Sequence, residues 1–156
     1  MIHHFSLTAR SPAHVAAVLA EVLGGRSFPF SIFPGSHIAI ADDPSGTAIE
    51  VYPLGTELVP GGRTDAVHAV TNPQPDIFSG THAAISVSRS EEEIQAIGRR
   101  EEWRAVTCER RDFRVIEFWV ENRFLIELLT PAMTEDYRRA MTPEHLKESA
   151  RYLGAK

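Results

Sequence analysis

Four polar residues of this 156-residue chain pair up by type and by position. His4 is matched by His82, and Glu50 by Glu127. His4 precedes Glu50 by 46 residues, and His82 precedes Glu127 by 45. Each histidine stands eight residues before a helix-start signal, Pro12 in one case and Ser90 in the other. Two imidazoles and two carboxylates suit a borderline divalent ion such as Zn, Ni, Fe or Mn. On a six-coordinate ion they leave two positions for water or a substrate oxygen, so the ion can act as a Lewis acid or activate water. The same residues have plainer readings. A lone histidine on a strand is usually a satisfied core residue, and a buried glutamate often pairs with arginine. For Glu127, inside Leu-Ile-Glu-Leu-Leu, one of these must hold, because an unpaired carboxylate there is costly.

The elements that position these residues recur along the chain. Residues 2–9 alternate like a half-buried strand. Ser11-Pro12 supplies an N-cap and first helical position. Val15, Val18, Leu19, Val22 and Leu23 form one apolar helix face. Gly24-Gly25 ends that helix. Extended stretches follow near 27–33, 36–41 and 47–53, with turns at Pro34-Gly35 and Asp43-Pro44-Ser45-Gly46. The order then repeats. Residues 81–88 alternate, Ser90 and Glu93 make a capping box, and Ile94 and Ile97 carry a helix to about Arg100. Strands near 104–110, 114–121 and 124–130 complete the second unit. The expected fold is α+β: two βαβββ modules forming a curved mixed sheet around a cavity, within a single domain. Module one covers about 2–53 and module two about 81–131. Residues 54–80, with Gly61-Gly62 and three prolines, read as a linker or lid. The extension at about 132–156 carries two short helices, near 135–140 and 143–153. They are expected to cover a sheet edge or join a dimer contact.

Strand parity adds to the match. Alternate side chains point to opposite faces. His4 shares a face with Ser6 and Thr8, and His82 with Ala84, Ser86 and Ser88, so both sit on the small, polar side of their strands. Glu50 shares its face with Ala48 and Tyr52, and Glu127 with Leu125 and Leu129. His3 faces away from His4. His37 lies in a middle strand within possible reach of the cavity, and His14, His68 and His145 read as solvated. Tyr52, Trp103, Trp119, Phe28, Phe30 and Phe33 are able to stack on a flat ligand, although most are expected in the core. Glu117 either lines the cavity or pairs with an arginine. Cys108 is expected to be buried in a strand. Arg110, Arg111 and Arg114, interrupted by Asp112, read as an exposed turn.

Composition narrows the function classes. Hydrophobic residues make up 43% and charged residues 24%, which fits a globular domain. The net charge of −5 and the lack of a dense basic block argue against nucleic acid as a partner. The single cysteine rules out an internal disulfide. No apolar run approaches the ~20 residues that span a bilayer, so a cytoplasmic protein without membrane partners is expected.

Several segments resemble the vicinal oxygen chelate superfamily, which includes glyoxalase I, bleomycin-resistance proteins, fosfomycin-resistance enzymes and extradiol dioxygenases. These are the segment from His4 to Ala9, Val-Leu-Gly-Gly at 22–25, Asp43 through Glu50, His82-Ala-Ala-Ile-Ser-Val, and Phe124-Leu-Ile-Glu127-Leu. The resemblance covers about residues 2–131. It implies that His4, Glu50, His82 and Glu127 are metal ligands, as in bacterial glyoxalase I with its two histidines and two glutamates. It further implies a metal-dependent lyase, isomerase or transferase acting on a small oxygen-bearing substrate, and a homodimer. Glu50 or Glu127 would be the proton shuttle; Glu127 is favoured, because apolar neighbours disfavour its charged form when no metal is bound. The alternative is a metal-free, drug-binding protein of the bleomycin-resistance type. The chain departs from the family at Ser11, where Asp is common, and at Glu121-Asn122-Arg123, where an Asp-Pro-x-Gly turn is common. No clear glutathione-binding set is visible.

Overall fold

A computed structural model describes residues 2–154, with side chains described to residue 148. The last two residues of the expected C-terminal extension lie outside the described residues. The chain divides into two compact units. One runs to Gly80 and takes in Val120–Phe124; the other covers Thr81–Trp119 and the chain from Leu125 on.

The first unit holds β1 (His4–Ala9), α1 (Pro12–Leu23), β2 (Arg26–Pro29), β3 (His37–Ile40), β4 (Ala48–Pro53), β5 (Thr56–Val59) and β6 (His68–Thr71). β1 to β4 form a mixed sheet in the order β1-β4-β3-β2, with β1 parallel to β4 and the other pairs antiparallel. Leu7 and Ala9 of β1, Ile49 and Val51 of β4, and Val15, Val18, Leu19 and Val22 of α1 are buried, as the two periodicities predict. Each such Leu, Val or Ile contributes about 1.5–3 kcal/mol through burial. Gly24 closes α1 in the left-handed region (φ 69°), and its N–H reaches the carbonyls of Ala20 and Glu21, a common helix ending. Gly25 serves a different need. A Cβ there would lie 1.9 Å from the Ile40 carbonyl oxygen, so only glycine lets α1 feed into the sheet.

Two expectations change here. The second strand ends at Pro29, not near 33. Phe30 to Ser36 instead forms a turn closed by Phe30 N–H to Ser36 O (2.8 Å) and Ser36 N–H to Phe33 O (3.1 Å). Ser11 stands at the N-cap, but its side chain makes no capping hydrogen bond. The Glu121 carboxylate instead accepts from the backbone N–H of the N-cap residue Ser11 itself (3.0 Å) and of Arg10 before it (2.8 Å). Amides at a helix start need such an acceptor, because the helix itself offers none. The 54–80 segment contains an antiparallel ribbon, β5 with β6, paired from Thr56↔Thr71 to Val59↔His68.

The second unit repeats the plan with β7 (Ala83–Ser86), α2 (Glu91–Glu101), β8 (Ala105–Glu109), β9 (Arg114–Val120) and β10 (Phe124–Leu129). Its sheet runs β7-β10-β9-β8, with β7 parallel to β10. The terminal residues Val120 and Phe124 of the last two strands, and the turn between them, group with the first unit. Ser90 and Glu93 form the predicted capping box on α2. Ile94 and Ile97 are buried, as are Val115, Phe118, Ile126 and Leu128 of the sheet. α3 (Pro131–Ala140) and α4 (Pro143–Gly154) follow. Thr134 of α3 donates to Ser86 Oγ on edge strand β7 (2.9 Å), so α3 ties down that strand. Ser86 therefore meets a helix, although parity had left its face open. No helix among the described residues is long and apolar enough to cross a membrane.

Candidate metal centre

Strand pairing brings the two glutamates into equivalent positions. His4 is the first residue of β1, whereas His82, expected within a strand over 81–88, stands one residue before β7. In the first unit Glu50 is the pairing partner of Ser6, two residues after His4. In the second, Glu127 is the pairing partner of Ala84, two residues after His82. Paired residues of neighbouring strands share a face, so His4 and Glu50 face the same way. The periodicity seen in the sequence is thus an equivalence of register.

Glu50 is buried, and three side chains address it. Ser6 Oγ donates to Glu50 Oε2 at 2.8 Å, and the Tyr52 hydroxyl donates to the same oxygen. The other oxygen, Oε1, lies 3.9 Å from His4 Nε2, and the His4 side chain is 57% exposed. Two ligand atoms about 2.1 Å from one ion stand roughly 3–3.4 Å apart. The His4–Glu50 pair is close to that separation, with one carboxylate oxygen held by hydrogen bonds and the other turned to the imidazole. The donor set fits half of a divalent-metal site. Burial, together with the Glu50 carboxylate, pushes the Tyr52 phenol up, so it stays a proton donor.

Glu127 is equally buried but differently served. Arg110 Nη2 donates to Glu127 Oε1 at 2.6 Å and to Glu117 Oε1 at 3.1 Å. Arg104 donates to Glu117 Oε2 at 2.5 Å, and Trp119 Nε1 to the same oxygen at 3.2 Å. Desolvation raises the Glu117 carboxyl, but the donors from Trp119, Arg110 and Arg104 outweigh it and hold it at about 2, since hydrogen bonds to the charged form favour that form. Of the readings the sequence leaves open for Glu127, the structure shows pairing with an arginine, Arg110, beside the apolar neighbours Leu125 and Leu129 on its face. The expected turn is there, closed by Arg110 N–H to Phe113 O (2.8 Å) with Arg111 and Arg114 exposed, but Arg110 itself is half-buried. Strand parity carries no information about this reach, since Arg110 follows the end of β8 and spans the gap through its long side chain. Glu117 pairs with arginine, one of the two readings its sequence position leaves open, with Arg104 and Arg110 as the partners.

Other candidates separate from these. His37 pairs with Val51 and so lies on the face opposite Glu50, with Nδ1 3.4 Å from the Gly35 carbonyl. His3 Nδ1 is 3.3 Å from the Ser45 carbonyl. His145, expected to be solvated, has Nε2 3.1 Å from Asp112 Oδ2. Tyr52 and Trp103 are core residues, but Phe28 is exposed and Phe30, Phe33 and Trp119 are half-buried. Phe30 and Phe33 lie beyond the end of β2 at Pro29, whereas Phe28 is on β2 itself, an edge strand of its sheet. Cys108 is half-buried on β8. Among the described residues of each unit, no three or more His, Cys, Asp or Glu side chains gather as a metal cluster. Each unit offers one imidazole and one carboxylate.

The same order of elements is found in solved structures. The fosfomycin resistance protein FosX of Listeria monocytogenes superposes with a TM-score of 0.53 at 13% identity, over 82% of this chain and 87% of that one. FosX of Mesorhizobium loti gives 0.51 at 14% identity, over 86% and 94%. The chain has the vicinal oxygen chelate fold. A further structure of the Listeria protein, complexed with Mn(II) and sulfate, shares this fold at a TM-score of 0.50 and 14% identity, over 89% and 95%. No protein-family model matches the sequence, and no curated protein matches it. Within the vicinal oxygen chelate fold, the two βαβββ modules and their mixed sheets are as the sequence predicts.

Proposed function

We propose that this protein is a divalent-metal enzyme of the glyoxalase-like type, acting on a small oxygen-bearing substrate by lyase, isomerase or transferase chemistry. His4 and Glu50 supply one half of the ligand set, and His82 and Glu127 the equivalent half. One observation carries the reading: Glu50 and Glu127 occupy the same register position in two copies of one module, each with a histidine two residues before its pairing partner. The Mn(II) complex of Listeria FosX supports the same kind of ion on the same fold.

Bound there, a divalent ion would polarise a substrate oxygen and stabilise negative charge developing on it. The residues divide the remaining work. Ser6 and Tyr52 hold Glu50 Oε2, which fixes the carboxylate and leaves Oε1 toward His4. Glu50 is therefore built to stay in place. Glu127 is held by the Arg110 guanidinium, which also bonds Glu117. Arg110 offsets the apolar surroundings that favoured Glu127, so Glu50 and Glu127 both stand as proposed proton shuttles. A homodimer belongs to the same reading and is checked by sedimentation of the purified protein.

The deciding experiment is metal analysis of gently purified protein, with His4→Ala and Glu127→Ala beside it. Stoichiometric metal in the wild type and its loss in both variants are expected. A wild type that binds no divalent ion, even when Mn(II) or Zn(II) is supplied, sinks the proposal in favour of a metal-free binding protein.

A further inference from the structure

We infer that the first unit carries a second ligand site, for a small organic monocarboxylate with a flat apolar body. The site is a cavity of about 520 Å³ walled by Thr8, Thr56, Glu57, Phe78, Arg123 and Phe124, among others. None of the four proposed metal ligands lines it.

Exposure is inverted here. Arg123 is only 9% exposed, whereas Phe78 is 66% and its neighbour Ile77 61% exposed. Surfaces ordinarily show the opposite, with arginine out and phenylalanine in. Among the described residues the Arg123 side chain makes one hydrogen bond, from Nη2 to the Asp76 carbonyl at 2.8 Å. A guanidinium has five N–H donors, so most of its capacity is unspent. Ser36 Oγ is the one fully buried side-chain N or O atom without a partner among the described residues. The remaining Arg123 nitrogens therefore touch open space, and the cavity is the open space that Arg123 lines. A guanidinium placed this way matches the two oxygens of a carboxylate in a bidentate pair.

The rest of the wall sets the ligand's size and charge. Phe124 stacks on Phe5 (centroids 6.1 Å apart, planes 16° apart), which fixes its ring beside the cavity. Phe78 offers a second ring. Glu57 adds a negative charge, and its Oε1 is held by Asn72 Nδ2 at 2.6 Å. One guanidinium facing one carboxylate favours a singly charged ligand over a dianion. Thr8 and Thr56 line the same cavity.

Calorimetric titration of the full-length protein with sodium benzoate tests this, with benzyl alcohol and inorganic phosphate as comparisons. Saturable benzoate binding is expected, with both comparisons about tenfold weaker or worse. Arg123→Gln should weaken benzoate by about tenfold or more, and Phe78→Ala by several-fold. Benzyl alcohol binding as well as benzoate reduces the site to an apolar hole, and phosphate binding as well reduces it to a bare anion site. Either result, or the absence of saturable benzoate binding, overturns the inference. So does Arg123→Gln binding benzoate as the wild type does. Should Arg123→Gln fail to fold, Phe78→Ala decides together with benzoate-induced shifts of the Thr56 and Glu57 amides. Unchanged affinity in that variant, or shifts confined elsewhere, overturns it. No metal is needed, so this result is separate from the fate of the metal proposal.

Discussion

Two glutamates at equivalent positions have been given different companions, and the difference is open to test. Glu50 is kept by neutral donors. Tyr52→Phe removes the phenol that donates to Oε2 and leaves a buried carboxylate under-satisfied, so it should cost about 1–3 kcal/mol in denaturant unfolding. It should also lower the affinity for the proposed metal by about 10–100-fold, because outer partners hold ligands in position. Glu127 is kept by charge, through Arg110, which also holds the nearby Glu117. The Glu117 carboxyl lies at about 2, below the ordinary 4.5. A group depressed in the folded state stabilises fully above its unfolded value and loses that contribution as pH falls toward its folded value. Stability should therefore decline from about pH 4.5 down toward 2, and Glu117→Gln should flatten that part of the urea-midpoint profile. An equal acid decline in the variant would show that other carboxylates carry it. The sequence made Glu50 and Glu127 visible as a pair, because type and spacing coincide. It did not show that Arg110 takes Glu127, because a long side chain leaving a strand end is not bound by alternation.

At the level of elements, most of what the sequence offers is periodicity, and periodicity was well kept. β1, α1 and β4 fall where alternating and helical patterns place them, and the capping box starts α2 as predicted. The misses differ in cause, one being a local turn and the others contacts made over distance. Pro29 ends β2 early, the β5–β6 ribbon hides in a stretch rich in glycine and proline, and Ser11 makes no side-chain cap while its amide donates to Glu121. Glycines tell more than their local turns suggest. Gly24 is needed for its positive φ, but Gly25 is needed for space. Gly25→Ala drives a methyl into the Ile40 carbonyl and should destabilise by about 3 kcal/mol or more in thermal or urea unfolding. Gly46, with positive φ but nothing within 4 Å of an added Cβ, should tolerate alanine far better.

For the whole molecule, the repeat predicts a stoichiometry. If the two halves of the ligand set serve one ion, native protein holds one metal per chain and His4→Ala loses all of it. If each half held its own ion, wild type would carry two and His4→Ala would keep one. Mass spectrometry under native conditions, set beside elemental analysis, separates these outcomes. The duplication was readable because two modules of one topology must present their residues in one register. The cavity beside Arg123 was not readable, since it joins a hairpin turn to a ribbon far away in sequence.

The Glu121 contact has a consequence in time. The amide groups at the start of α1 wait for a carboxylate 110 and 111 residues further along the chain. On a ribosome adding about 5–20 residues per second, the carboxylate emerges on the order of 10 s after the helix whose start it serves. Through that interval the start of α1 must rely on water, and the first unit lacks Val120–Phe124. The unit made mostly of early residues therefore matures late, and a nascent chain stalled before Glu121 should exchange its Arg10 and Ser11 amide protons freely.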